Sequence, residues 1–140
     1  MIIDLFKTGI YREQLKLNNQ WLKKYCHDIK QNQDGVDISN SGGFHSDNLN
    51  MNDESIRELM KQIISSANVY SEQLGYGKVK LSNIWCNINS YKDYNKLHCH
   101  PNAKVSGVYY VKTPKDSGRL AFRDPRPAAI CNSFLVDKYD

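Results

Sequence analysis

Residues 87–127, NINSYKDYNKLHCHPNAKVSGVYYVKTPKDSGRLAFRDPRP, hold most of the chemistry in this chain, with His98 and His100 at their centre. Side chains of an extended strand alternate faces and rise about 3.3 Å per residue, so these imidazoles project to one side with Cβ atoms roughly 6 to 7 Å apart. That separation suits one metal ion held by two ring nitrogens at about 2.0 to 2.1 Å, provided the strand ends or bends there. Pro101 supplies such an end. The competing reading is a pair of exposed histidines on a strand edge, with no metal between them. Cys99 would point away from both rings, where it reads as a small buried hydrophobe.

Working outward, residues 106–111 (SGVYYV) form a β-rich run, and residues 113–118 (TPKDSG) have the composition of a turn. Residues 105–112 and 119–123 are therefore expected to pair as a hairpin. On the other side the pattern from Val79 onward has a period of two. Ile84, Cys86 and Ile88 share one face, and Trp85, Asn87 and Asn89 the other. A strand with a partly polar second face is what one side of a site requires.

In combination these elements resemble the Fe(II)- and 2-oxoglutarate-dependent oxygenase superfamily, in particular the small oxygenases of marine phages and bacteria. The matching motifs are W-x-N at Trp85 and Asn87, N-x-x-H-x-H-P at Asn95, His98, His100 and Pro101, S-G-V-Y-Y at 106–110, and D-P-R at 124–126. The run SNSGGFHS at 39–46 is similar to that family's N-terminal signature. The resemblance implies an α+β chain in which N-terminal helices pack on a partial double-stranded β-helix, or jelly roll. It also implies Fe(II) at His98 and His100, 2-oxoglutarate as cosubstrate, and hydroxylation of a small-molecule or peptide substrate. Tyr91 and Asn95 are candidates for hydrogen bonds to 2-oxoglutarate or to a ligand histidine, since a second shell fixes imidazole orientation.

Two departures qualify the resemblance. The usual first pair is His-x-carboxylate, and here the second position is His100, which replaces an anionic ligand with a neutral one. In the family the barrel continues past the D-P-R and supplies a distal histidine and an arginine. The histidines of this chain are His27, His45, His98 and His100. Residues 1–140 are accordingly expected to form one oxygenase-like domain lacking the C-terminal part of the barrel, inactive alone or completed by another chain. The alternative is a non-catalytic half jelly roll, or interaction module, with vestigial histidines. A third reading is a cupin-like metal enzyme pairing His-x-His with Asp124 or Asp137. An open half barrel would expose apolar faces and sheet edges, which predicts a homodimer.

Composition narrows the partners. The net charge is +4, but Lys and Arg are interspersed with acids, and no basic run is interleaved with aromatics, so nucleic acid is not expected as a partner. No apolar run reaches the length of a membrane span, and residues 1–11 are interrupted by Asp4 and Lys7, unlike a signal peptide. Cys26, Cys86, Cys99 and Cys131 form no C-x-x-C pair. A reduced, cytoplasmic setting is the expectation.

The first half of the chain reads as support. Residues 1–11 are expected to be a strand or extended segment. Apolar positions recurring at three, four and seven from Glu13 to Lys30 predict an amphipathic helix, with Trp21 in the core. Residues 32–50 read as a glycine-rich loop, a candidate lid carrying His45. A second helix is predicted over 52–74, capped by Asn52 or Asp53 and ended by Gly75 and Gly77.

Overall fold

The predicted second helix forms with both of its end signals in use. A computed structural model of the chain describes residue 1, residues 7–124 and residue 126. Asp53 turns into a short 3₁₀ segment, Glu54–Ile56, by accepting from the Ser55 N–H at 2.8 Å, and helix α2 follows over Arg57–Gln73. At its end Gly75 takes φ +76°, its N–H bonds to the Glu72 carbonyl, and the Tyr76 N–H reaches back to Ser71. These are the two bonds of a Schellman motif, which satisfy carbonyls the helix leaves open. The Ser71 hydroxyl, fully buried, donates to the Gly77 carbonyl at 2.7 Å.

Helix α1 spans Asn19–Asn32, starting later than the apolar pattern predicts. The physical reason lies in α2. Its side chains capture the preceding segment as irregular chain: Tyr70 donates to the Gly9 carbonyl at 2.6 Å, Ser66 to Glu13 at 2.6 Å, and Gln62 to the Lys16 carbonyl at 3.3 Å. Asn18 then caps α1, its side-chain oxygen accepting from the Trp21 N–H. Trp21 itself is partly exposed and stacks on Tyr25, with centroids 5.2 Å apart, rather than entering the core. The Tyr25 hydroxyl donates to Asp53 at 2.7 Å and so ties α1 to the start of α2.

Between the helices, the segment expected to be a loop carries two short strands, β1 (Asn40–Ser41) and β2 (Phe44–His45). They do not pair with each other. β1 pairs antiparallel with β4 (Tyr94–Asn95), and β2 pairs antiparallel with β3 (Asn87–Ile88), in the registers Ser41 with Tyr94 and Phe44 with Ile88. Gly42 and Gly43 make this divergence feasible, with φ +69° and +66° and with Asp93 and Asn89 crowding the places where Cβ atoms would stand. The β2–β3 ribbon extends beyond the ladder, because Ser46 and Leu49 donate to the carbonyls of Cys86 and Ile84.

The core sits here. Among the described residues Leu22 of α1, Phe44 of β2 and Ile56 are the buried apolar residues, accompanied here by Ser39, His45 and Ser46. The stretch read as a lid is therefore an internal support. The expected hairpin of 105–112 with 119–123 is not formed: both runs are irregular and unpaired, and the Ser117 to Pro114 turn closes between them. Among the described residues the β structure is thus two short ladders, and the architecture is α+β without the strands of a jelly roll. The expected strand at 1–11 is not formed over residues 7–11, which carry no regular element, and residues 2–6 lie outside the described residues, as do Cys131 and Asp137. No described helix is long and apolar enough to cross a membrane.

Candidate metal centre

The strand β4 stops at Asn95, two residues short of His98, and the Lys96 N–H bond to the Ser39 carbonyl at 2.7 Å is the last rung beside it. The chain then leaves the ladder, so His98 and His100 lie on irregular backbone rather than on a strand. They still converge. Their ring centroids are 4.8 Å apart, with planes tilted by 59°. With metal–nitrogen bonds of about 2.1 Å, two imidazoles sharing one ion at ordinary ligand angles place their centroids roughly 4.5 to 5.2 Å apart. The observed separation falls within that range, so the pair fits a shared ion.

Tautomers are also favourable. His98 Nδ1 lies 2.6 Å from the Lys96 carbonyl oxygen, which can only accept, so in the neutral ring Nδ1 carries the proton and Nε2 the lone pair. This is the form in which imidazole binds a metal. The half-buried His100 has its pKa held below the ordinary histidine value, first by burial and then by the charge of His98.

Trp85 packs against His100. The indole lies 5.8 Å from the His100 ring at an interplanar angle of 22°, and 5.4 Å from the His45 ring at 13°. A column therefore runs from His45 through Trp85 and His100 to His98. Its base is fixed, since His45 is buried and its Nδ1 donates to the Ser46 carbonyl at 2.8 Å. His45 also lines a polar depression of about 470 Å³ with Asp34, Asp37, Asn40 and Lys96. Neither Trp85 nor His45 was an expected site residue. The signals were the placement of Trp85 on the polar face of its strand and the S-G-G-F-H-S run, whose twin glycines mark a close backbone approach.

The two candidate cosubstrate residues sit differently. Tyr91 is almost fully exposed at a turn, with the Lys92 ammonium 5.5 Å from its ring centroid. The Asn95 amide donates to the Ser39 hydroxyl at 3.2 Å and its oxygen accepts from Asn89 at 3.3 Å, so this side chain braces β1, β4 and the end of β3. Asp124 is occupied by Arg126, which donates to it through its backbone N–H and its guanidinium. That pairing pulls the Asp124 carboxyl down to about 2. Asp124 is thus paired with Arg126 and does not join the histidines. Among the described residues, no group of three or more His, Cys, Asp or Glu converges as a metal cage.

Residues 83–139 match the family model described as "Putative 2OG-Fe(II) oxygenase". That segment is similar to the 2OG-Fe(II) oxygenases. It is about two fifths of the chain, and it contains Trp85, Tyr91, Asn95, both histidines and the D-P-R motif. The family implies use of Fe(II) and 2-oxoglutarate. No curated protein and no solved structure matches the chain.

Proposed function

We propose that this chain is an Fe(II)- and 2-oxoglutarate-dependent oxygenase domain in which the Nε2 atoms of His98 and His100 hold the iron. The observation that carries the reading is the 4.8 Å approach of the two rings, with the His98 tautomer set by the Lys96 carbonyl. The oxygenase family match over 83–139 supports it. When bound, Fe(II) would couple oxidative decarboxylation of 2-oxoglutarate to hydroxylation of a substrate C–H bond.

The contributions of the chain's own residues follow from their surroundings. His98 and His100 offer neutral nitrogens and leave the remaining coordination positions to water and cosubstrate. Trp85 shields one face of His100 from solvent and limits its rotation. The exposed Tyr91 hydroxyl is available to a cosubstrate carboxylate, whereas Asn95 acts as a brace beneath the loop that carries the histidines. In this reading the chain works in a soluble, cytoplasmic setting and as a homodimer, with a small molecule or peptide as substrate.

The test is turnover. Purified chain supplied with Fe(II), ascorbate, oxygen and 2-oxoglutarate should release succinate, detected by mass spectrometry, even without a primary substrate. Succinate only at the rate of a protein-free control would favour the second reading, a non-catalytic interaction module with vestigial histidines.

A further inference from the structure

The polar depression beside His45 gathers charges of both signs that do not pair. Its volume of about 470 Å³ falls inside the roughly 300 to 1,000 Å³ of small-molecule sites. Asp34, Asp37 and Lys96 line it, and none of the three forms an ion pair or a side-chain hydrogen bond among the described residues. Two carboxylates and an ammonium thus share one concavity and stand too far apart to meet. A ligand carrying both signs would satisfy all three.

A second feature opens to the same space. His45 is 5% exposed and lines the depression. Its Nδ1 is committed to the Ser46 carbonyl, and its Nε2 has no hydrogen-bond partner among the described residues. No fully buried side-chain nitrogen or oxygen among them lacks a partner, so Nε2 faces unfilled space, where in the neutral ring it accepts a hydrogen bond. A ligand N–H is the group it lacks. The neighbouring Asn40 amide, by contrast, is spent on its own loop, accepting from the Ile38 N–H and donating to the Gly42 carbonyl.

Charge selects the ligand class. A divalent metal does not fit, because no three His, Cys, Asp or Glu side chains converge here among the described residues, and Lys96 adds positive charge. A dicarboxylate such as 2-oxoglutarate meets two carboxylates that repel it. Two anions and one cation complement a molecule with two cationic groups and one carboxylate. We propose that the depression binds a free basic α-amino acid, with its two cationic groups at Asp34, Asp37 and the His45 ring and its carboxylate at Lys96. Lys96 also joins this site to the histidine pair, since its N–H is held by the Ser39 carbonyl and its own carbonyl accepts from His98 Nδ1. That the occupant is the substrate rests on the oxygenase reading; its binding requires neither iron nor 2-oxoglutarate.

The experiment titrates the full, metal-free chain, labelled with nitrogen-15, with L-arginine and in parallel L-lysine up to about 10 mM, which saturates a site with a Kd near 1 mM. Amide shifts should move at residues 34–37, 40–45 and 96, and not in α2. Agmatine, which lacks the carboxylate of arginine, and N-α-acetylarginine, which lacks its α-ammonium, should bind at least about tenfold more weakly than arginine. Lys96→Met should abolish the preference for arginine over agmatine, and Asp34→Asn with Asp37→Asn should weaken arginine at least about tenfold. All three side chains are exposed, so these variants should keep the fold. No shifts with either amino acid would overturn the proposal, and so would equal binding of arginine and agmatine. Binding that leaves succinate release by the iron-loaded chain unchanged would sink the substrate assignment and leave the binding site standing.

Discussion

The indole of Trp85 stacks on the imidazole of His100 at 5.8 Å, and it is the only side chain that touches both this ring and His45 through ring contacts among the described residues. The histidine pair is thereby tied to the buried His45 rather than left on a free loop. With Trp21→Phe leaving Trp85 as the sole tryptophan, Co(II) should quench its emission on binding. Trp85→Ala should weaken Co(II) binding about tenfold, the lower end of what an orienting neighbour contributes. Unchanged affinity in a folded Trp85→Ala variant would remove the indole from the site.

The Tyr25–Asp53 bond links the two helices and depends on pH. Asp53 has its carboxyl held below the usual range, first by the Tyr25 hydroxyl and then by Ser55. A depressed carboxylate pKa stabilises the fold above the unfolded value, and the contribution is lost as pH falls through the folded value. Tyr25→Phe should therefore lower stability at neutral pH. In urea melts, the gap between the two proteins should close once the solution is acid enough to protonate Asp53. A gap that stays constant with pH would show that the ion is not involved.

Gly42 is held at φ +69° with the Asp93 carboxylate filling the position of a Cβ. Gly42→Ala should lower stability by at least about 1 kcal/mol through the left-handed backbone alone. It should also disturb the β1–β4 rung at Ser41 and Tyr94. Amide exchange near residues 40–41 and 94–95 should rise more than exchange within α2. Uniform change, or none, would contradict the tight approach.

The irregular runs at 105–112 and 119–123 leave Val108, Tyr110, Leu120 and Phe122 more than half exposed. Apolar side chains presented together on unpaired backbone favour association. Sedimentation velocity should show mass rising with concentration toward a dimer. The variant Val108→Ser with Phe122→Ser should shift that curve toward monomer. A wild-type monomer across the accessible range would refute self-association.

What was legible in the sequence followed from local rules. Helix α2 was set by its apolar period, by Asp53 and by Gly75, and all three act within a few residues of the helix. The rings of His98 and His100 also lie close, but on irregular backbone rather than on the strand from which a spacing of two was argued. Non-local features escaped such reading. The delayed start of α1 is imposed by Tyr70, Ser66 and Gln62, which lie some fifty residues downstream of the segment they hold. The burial of His45 results from pairing with Asn87, a partner that composition could not reveal in a stretch so rich in Gly, Asn and Ser. The predicted hairpin failed for the converse reason. Residues 105–123 have good β propensity, but that preference expresses packing on a neighbouring surface, and Tyr109 instead donates to Asn19 at the start of α1, at 2.6 Å.

The most direct test of the central claim is an anaerobic titration of the chain with Fe(II) and then 2-oxoglutarate, followed by visible absorption and compared with His98→Ala plus His100→Ala. The account predicts a metal-to-cosubstrate charge-transfer band that grows to one equivalent of iron and is absent from the double variant. No band with the wild-type chain, or an equal band in the folded double variant, would contradict the assignment of His98 and His100 as the iron ligands.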